Sequence, residues 1–374
     1  MKALTASHIL VDGHWQQDTV LLLAAGKIAR LIAKNDLPAG IPLTDKGDGF
    51  LAPGYFDSQV NGGGGVLLND QPTRAGLQAV ADAHRPYGTT SFLPTFITDS
   101  FDGMQRMAEA VCEARARGFK AVRGVHFEGP YLNRDRKGVH QSHHIRGFEE
   151  KFLDLIATAD LGAVLVTLAP EAVGTDMIKA LRAAGAVVSA GHTNASYEQT
   201  VAAMKTGLTG FTHLYNAMPP MQSRDPGVIG AALEASDAYC GVIADGYHVH
   251  PAVLKNALAA ISPDRMMLVT DAMPPVGTDA TSFMLQGSEI LVKDGRCTTE
   301  DGTLAGSALT MASAVQNSLA WFDLPLEDAL KMASETPARF MGLEADIGLI
   351  APNRTADFVL LSEKGAVEEV LTAV

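Results

Sequence analysis

The feature that most constrains the fold is a regular alternation of short apolar runs and amphipathic stretches along the middle of the chain. The apolar runs predict strands, and stretches such as FDGMQRMAEAVCEARAR predict helices between them. The eight strand-like runs are FLAPGYFDS, TTSFLPT, AVRGVHF, GAVLVTLA, AVVSAG, LTGFTH, YCGVIAD and RMMLVTD. Eight strands alternating with helices favour an α/β fold of the (β/α)8 TIM-like barrel type, and the count argues against a doubly wound sheet.

Both ends of the chain predict a different kind of structure. Residues 1–50 contain short strand-like runs separated by turn signals, such as the Asp-Gly pair in LVDGHW, and residues 346–374 have the same character. Because neither end is long enough to form its own core, we expect both to build one small β-sandwich domain beside a barrel of residues 51–345. Residues 281–304 predict a β-hairpin inserted after the eighth strand.

Net charge and cysteine usage exclude several classes of partner. The formal net charge of −13 disfavours nucleic acid and anionic membrane surfaces, so we expect neither as a partner. It also disfavours an anionic substrate unless the site holds local positive charge. Cys112, Cys240 and Cys297 are far apart, and the N-terminus lacks the apolar core of a signal peptide. Together these features predict a protein of the reducing cytoplasm.

Four of the predicted strands end in side chains that bind metals or move protons. Glu128 follows GVHF, His192 follows VVSAG, His213 lies in GFTHLY and Asp271 ends MLVTD. A barrel gathers the carboxyl ends of its strands around one axis, so we expect these side chains to meet. Each histidine alone could be a hydrogen-bonded core residue, and Glu128 could form a salt bridge. Two imidazoles with a carboxylate, however, form a catalytic metal set with an open position for water, and the pattern favours that interpretation.

Asp271 has two interpretations. It could cap the segment that follows its strand, whereas beside a metal it would be a general base close to the bound water. His126 lies on the same side of its strand as Glu128 and could be a second ligand, but we expect it to pack one layer deeper in the barrel. Further histidines in NRDRKGVHQSHH and ADGYHVHP follow the third and seventh strands, at the predicted barrel mouth.

A set of motifs in a fixed order resembles the N-acetylglucosamine-6-phosphate deacetylase family of the amidohydrolase superfamily. The motifs are HFEGP, KGVH, LAPE, SAGHT, THLYNAM, GVIADGYHV and VTDA. With the flanking PGYFDSQVNGGGG and TPARFMGL, the resemblance covers nearly the whole chain. It implies hydrolysis of the acetamide of N-acetyl-D-glucosamine 6-phosphate to D-glucosamine 6-phosphate and acetate, in amino-sugar catabolism or recycling.

The resemblance also implies a role for each residue of the catalytic set. Glu128, His192 and His213 would hold the metal. Asp271 would act first as general base and then as general acid, and His140 in KGVH would lie over the substrate carbonyl.

The phosphate end of the substrate is assigned by the same resemblance. The backbone of Asn216 and Ala217, with Arg224 and His248, would hold an amino-sugar phosphate. In relatives, the equivalent of Arg224 reaches across a dimer interface, which implies a homodimer. These residues would supply the local donors that an acidic chain needs in order to bind an anion.

One departure from the superfamily pattern bears on the number of metals. Many amidohydrolases have a His-x-His pair after the first strand, where this chain has Gln59-Val60-Asn61, and amides are poor transition-metal ligands. Strand four ends in TLAPE, with no lysine to carbamylate. We therefore predict one divalent transition metal per subunit, with zinc favoured over iron, cobalt or manganese.

Two other functions stay open at this point. The first is a different amidohydrolase that acts on another N-acyl or cyclic amide, against which the missing His-x-His pair and lysine count. The second is a non-catalytic barrel that binds a sugar phosphate, for which a proton shuttle at Asp271 would be superfluous.

Overall fold

The first seven strands form small sheets outside the barrel. The computed structural model describes residues 1–372. The strands are β1 Lys2–Thr5, β2 His8–Val11, β3 His14–Gln16, β4 Thr19–Ala24, β5 Lys27–Ala33, β6 Leu43–Asp45 and β7 Phe50–Pro53. One sheet has the order β5-β4-β1-β6. Asp12 and Gly13, with φ of 48° and 75°, make the tight turn from β2 to β3, as the Asp-Gly pair predicts.

The next ten strands comprise the eight strands of the barrel and one short antiparallel pair. They are β8 Tyr55–Val60, β9 Gly62–Gly63, β10 Val66–Leu67, β11 Thr89–Ile97, β12 Gly124–Glu128, β13 Ala163–Leu168, β14 Val187–Ala190, β15 Leu208–Phe211, β16 Tyr239–Val242 and β17 Met266–Leu268. Strands β8 and β11 to β17 pair in parallel and in chain order, while β9 and β10 pair with each other. Every residue of β11 and β12 is buried, as expected for strands covered on both faces. The predicted (β/α)8 fold is confirmed.

Helices connect the barrel strands and cover their outer face. They are α1 Arg74–His84, α2 Phe101–Ala116, α3 Glu150–Thr158, α4 Pro170–Val173, α5 Thr175–Ala183, α6 Tyr197–Met204, α7 Gly227–Glu234, α8 Pro251–Ile261, α9 Met311–Phe322, α10 Leu326–Ala333 and α11 Glu335–Phe340. The side chain of Ser100 caps α2, and Ser196 with Gln199 forms a capping box at α6. Within residues 1–372, no helix is long and apolar enough to cross a membrane.

The barrel closes between its first and last strands, beside the predicted general base. The backbone N–H of Asp271 donates to the carbonyl of Gln59 at 3.0 Å, and that of Asn61 donates to the carbonyl of Ala272 at 2.9 Å. A parallel bridge joins Val60 to Ala272. The two predicted site segments are therefore held together by the backbone that closes the barrel.

The segment predicted as a β-hairpin is a four-stranded antiparallel meander, so that prediction was wrong in its strand count. Its strands are β18 Ser282–Leu285, β19 Ser288–Lys293, β20 Arg296–Thr298 and β21 Leu304–Ser307. Gln286-Gly287 and Asp294-Gly295 both have positive φ and form two separate tight turns. The last strand extends past the predicted boundary because Ser307 donates its N–H to the carbonyl of Asp271 at 3.0 Å.

The end of the chain returns to the small sheets. Strands β22 Phe358–Leu361 and β23 Val367–Leu371 complete a sheet of order β23-β22-β7-β2-β3. The two small sheets share one apolar core, in which Leu4, Ile9, Leu21 and Phe358 are buried. The predicted β-sandwich built from both chain ends is confirmed as part of the fold class. The boundaries predicted for it, 1–50 and 346–374, stay a prediction.

Candidate metal centre

A cavity of about 300 Å³ opens at the carboxyl ends of the barrel strands. Nine of the eleven residues predicted for the site line it, namely Asn61, Glu128, His140, His192, His213, Asn216, Ala217, His248 and Asp271. A wider groove of about 960 Å³ between the meander and the loop at Lys137 adjoins the cavity and shares Val139 with it. The mouth of the barrel therefore holds one polar site with an open approach.

The donor atoms of Glu128, His192 and His213 converge on one point. Oε1 of Glu128 lies 3.2 Å from Nε2 of His192 and 3.0 Å from Nε2 of His213, and the two nitrogens are 3.1 Å apart. A tetrahedral metal with bonds of about 2.0 Å separates its ligand atoms by about 3.3 Å. All three side chains are buried, and their spacing fits one transition metal.

The tautomer of His192 shows why this cluster requires a positive charge. Its Nδ1 donates to the backbone carbonyl of Arg136 at 2.8 Å, so in the neutral ring Nε2 carries a lone pair. That lone pair faces a carboxylate oxygen of Glu128, which also accepts. Burial alone would raise the pKa of Glu128. Positive charge on the two imidazoles, which donate to the carboxylate in their protonated form, outweighs burial and holds that pKa well below its usual value. The donor set is therefore built around a cation.

His140 lies over the same cluster. One donor atom from each of Glu128, His140 and His192 falls within 4.8 Å of the others, and the rings of His140 and His192 are 4.4 Å apart. Nδ1 of His140 lies 2.7 Å from the hydroxyl of Thr98, whose other acceptor, the carbonyl of Glu128, is farther away at 3.3 Å. Nδ1 is thus engaged by Thr98, and Nε2 is the ring nitrogen of His140 without a hydrogen-bond partner among the described residues. Burial lowers the pKa of His140 to about 3, so its ring is neutral.

Asp271 is held by the two amides that replace the His-x-His pair. Its Oδ1 accepts from Nδ2 of Asn61 at 2.6 Å and from Nε2 of Gln59 at 3.1 Å, and the Gln59 amide also contacts Oε2 of Glu128 at 3.2 Å. Burial, and next the charge of Glu128, raises the pKa of Asp271 to about 6. Gln59 thus donates to the carboxylates of both Glu128 and Asp271, and Asn61 donates to that of Asp271 alone.

Several site residues have an unusual backbone conformation. His192, His213 and Asp271 have φ of 49°, 33° and 50°, in the left-handed region that residues with a Cβ rarely adopt. Each of them lies two or three residues past the end of a barrel strand, where the chain turns away from the axis. Such strain persists where the surrounding contacts fix it, and it is common at functional sites.

The turn expected to hold a phosphate is only partly available. The backbone N–H of Asn216 donates to the carbonyl of His213 at 2.9 Å, so within one subunit this group already has an acceptor. The tight turn after β15 uses that group to reverse the chain. The N–H of Ala217 has no acceptor within residues 1–372. Ala217 itself lines the cavity.

The two charged residues predicted for the phosphate are placed differently from each other. His248 lines the cavity, and its Nδ1 lies 2.6 Å from Oδ2 of Asp245, which leaves Nε2 free of that partner. Arg224 is exposed in the loop before α7 and does not line the cavity of its own chain. Within one subunit, the structure brings His248 to the site and leaves Arg224 outside it.

Some residues around the site escaped the sequence interpretation. Arg136 lines the cavity, and Glu171 holds the loop segments beside it. Both lie in motifs that the sequence analysis names for other reasons. Arg136 lies in NRDRKGVH, which contains His140, and Glu171 lies in the family motif LAPE. His126 packs deeper, as expected, where its two ring nitrogens contact the hydroxyls of Thr95 and Thr167.

Comparison with known proteins agrees with this architecture. The model of the amidohydrolase family matches residues 50–373, and the chain belongs to that family. It is 44% identical to N-acetylgalactosamine-6-phosphate deacetylase of Shewanella sp. strain ANA-3 over 315 aligned residues. These residues make up 84% of this chain and 80% of that protein. It is 33% identical to N-acetylglucosamine-6-phosphate deacetylase of Haemophilus influenzae, over 92% of this chain and 91% of that one.

A solved structure is similar over the whole length. The crystal structure of N-acetylglucosamine-6-phosphate deacetylase from Pasteurella multocida superposes with a TM-score of 0.95 at 32% identity. The match covers 100% of this chain and 98% of that one. The family resemblance predicted from the motifs is confirmed.

Proposed function

We propose that the chain hydrolyses the acetamide of N-acetyl-D-glucosamine 6-phosphate, releasing acetate and D-glucosamine 6-phosphate in amino-sugar catabolism or recycling. The convergence of Glu128, His192 and His213 beside Asp271 in one cavity carries this proposal. The Haemophilus and Pasteurella relatives, which bear that activity in their names, support the substrate.

The donor set fits one divalent transition metal per subunit. Two imidazole nitrogens and a carboxylate oxygen suit zinc first, with iron, cobalt or manganese as alternatives. When bound, such an ion lowers the pKa of a coordinated water and polarises a carbonyl. Gln59 and Asn61 argue for a single ion, because their amide nitrogens are already engaged as donors to Asp271.

Asp271 is the proposed acid–base group. Its carboxylate takes a proton from the attacking water and then returns it to the amine nitrogen, which leaves only once it is protonated. Asn61 and Gln59 both donate to Oδ1, so they hold the carboxyl group in place while Oδ2 stays free of them. A pKa raised to about 6 suits proton transfer in both directions near neutral pH.

His140 is the proposed donor to the acetamide oxygen. Since Thr98 engages Nδ1, the neutral ring offers its Nε2–H group to negative charge that develops on that oxygen. Its low pKa keeps the ring from competing with Asp271 for the transferred proton.

The phosphate binds at the other end of the same cavity. Ala217, His248 and Arg136 all line the cavity, and we propose the N–H of Ala217, the ring of His248 and the guanidinium of Arg136 as the phosphate donors within one subunit. We propose that Arg224 joins them from the partner subunit of a homodimer, since it lies outside the cavity of its own chain. Arginine provides two parallel hydrogen bonds to phosphate, which offset the repulsion from a chain of net charge −13. A cytoplasmic location belongs to the same proposal and agrees with the three free cysteines.

The C4 epimer is a second candidate substrate. The 44% identical Shewanella relative is an N-acetylgalactosamine-6-phosphate deacetylase, and the two sugars share the acetamide and phosphate groups that the site contacts. Both substrates would use the same metal set and the same Asp271.

Acetate release tests the proposal directly. Metal-loaded protein is incubated with each of the two 6-phosphates and with unphosphorylated N-acetylglucosamine, and acetate and free amine are measured. We expect kcat/KM to be highest for N-acetylglucosamine 6-phosphate, and Asp271→Asn protein serves as the inactive control. A higher value for the epimer would transfer the assignment to N-acetylgalactosamine 6-phosphate. Absence of acetate from both phosphates would contradict the proposed reaction.

A further inference from the structure

We propose that Glu171 is a positioning residue for the metal centre. Its carboxylate fastens the loop that carries Arg136 and His140 to the turn that carries His192, and so fixes the orientation and tautomer of the His192 ring. This inference rests on the proposed function, because it assumes that His192 is a metal ligand. Glu171 itself is neither a ligand of the metal nor a contact of the substrate.

Three donors from two different segments converge on the Glu171 carboxylate. Oε2 accepts from the hydroxyl of Thr193 at 2.5 Å. Oε1 accepts from the backbone N–H of Asn194 at 2.6 Å and from Nδ2 of Asn133 at 2.9 Å. Thr193 and Asn194 directly follow His192, whereas Asn133 begins the loop that leads to His140. Glu171 therefore joins the segments that follow β12 and β14.

The same two segments also bind each other directly, next to the bonds that Glu171 accepts. The N–H of Asn133 donates to the carbonyl of His192 at 2.9 Å, and Nε of Arg136 donates to Oδ1 of Asn194 at 2.5 Å. In return, Nδ1 of His192 donates to the carbonyl of Arg136 at 2.8 Å. These bonds form a closed ring, so a displacement of either segment breaks the contact that sets the His192 tautomer.

The position requires an acceptor with two oxygens. His192 has a φ of 49°, and the turn after it must be fixed by its neighbours to stay in this conformation. A carboxylate satisfies all three donors through charge-assisted bonds. A glutamine in its place keeps one oxygen for Asn194 and Asn133 but presents an N–H group to the Thr193 hydroxyl. An alanine removes all three bonds.

The test measures metal affinity and tautomer in Glu171→Ala and Glu171→Gln proteins. The control is Glu149→Ala, which removes a carboxylate bonded to Arg146 and Lys151 outside the ring. Zinc dissociation constants are measured by competition with a chelator. In metal-free protein, ¹⁵N spectra of the histidine rings, assigned with His192→Ala protein, report whether Nδ1 of His192 carries the proton. Melting temperatures are recorded for each variant.

We expect Glu171→Ala to raise the zinc dissociation constant by roughly ten- to a hundredfold, as loss of an orienting partner does at other metal sites. The His192 ring should lose its uniform Nδ1–H form. Glu171→Gln, which keeps part of the ring and is the decisive variant if the alanine protein does not fold, should weaken zinc binding severalfold. The Glu149 control should bind zinc like the wild type.

A lowered melting temperature with wild-type zinc affinity and tautomer in the Glu171 variants would overturn the inference and leave Glu171 a purely structural residue. Failure of the wild type itself to bind zinc or another divalent metal would instead contradict the proposed function.

Discussion

Asp57, a buried carboxyl group beneath the metal centre, predicts a specific pH dependence of stability. It lies on β8, and its side chain is fully buried. Oδ2 accepts from the hydroxyl of Thr270 at 2.5 Å, and Oδ1 accepts from the backbone N–H of Gln59 at 3.0 Å. Burial raises its pKa to about 7 against the opposing effect of these hydrogen bonds, and the charge of Asp271 adds a smaller increase.

The sign of the effect follows from the two pKa values of Asp57. In the unfolded chain the group titrates near 3.8, and in the folded protein near 7. Between these values the folded state binds a proton that the unfolded state has lost, so the free energy of unfolding falls as pH rises through this window. At about 1.4 kcal/mol per pKa unit, the full difference corresponds to about 4 kcal/mol, of which about 2 kcal/mol falls between pH 5 and 7.

The assay compares wild type and Asp57→Asn, both metal-free, in urea unfolding at a series of pH values from 5 to 8. Asparagine keeps the size of the side chain and an acceptor for Gln59 but does not titrate. The wild type should lose about 2 kcal/mol relative to the variant from pH 5 to 7, and the difference should level off by about pH 8, one unit above the folded pKa. Groups present in both proteins, such as Asp271, largely cancel in the comparison. A difference that does not change with pH would refute the reasoning, because Asp57 would then be ionised in the folded protein throughout.

Three further substitutions test the site. His213→Ala should lose both bound metal and turnover, which metal analysis of dialysed protein and an acetate assay would show together. Asp271→Asn should lower kcat by roughly a hundredfold or more while metal still binds, because it removes the proton acceptor and keeps the shape; a variant that retains most of its kcat would make Asp271 only a cap. Arg224→Ala should lower kcat/KM for the 6-phosphate by roughly ten- to a hundredfold and barely change the slow reaction of the unphosphorylated sugar. Equal losses on both substrates would assign Arg224 to the subunit contact or the fold instead.

The barrel and the convergence of its polar side chains can be predicted from the sequence because both depend on local patterns. Each barrel strand is a short apolar run, and Glu128, His192, His213 and Asp271 lie at or just beyond strand ends, so their convergence follows once the barrel is assumed. The two amides at Gln59 and Asn61 are also visible as a departure from a known pattern.

The contacts between loops are not predictable in the same way. Glu171 binds donors 22 and 38 residues away, and nothing in LAPE indicates which segments will meet it. The sequence also does not show that the backbone N–H of Asn216 donates to the carbonyl of His213, three residues earlier in the chain. The meander at 281–304 reads as a hairpin because its later strands are short and have little apolar pattern. Whether Arg224 enters a neighbouring site depends on subunit packing.

A metal titration tests the central claim most directly. Metal-free protein is supplied with zinc in fractions of one equivalent per chain, and acetate release from N-acetylglucosamine 6-phosphate is measured after each addition. With Glu128, His192 and His213 as the ligands of a single ion, activity should rise linearly from near zero and level off at one equivalent. Full activity without metal, or a rise that continues to two equivalents, would contradict the account.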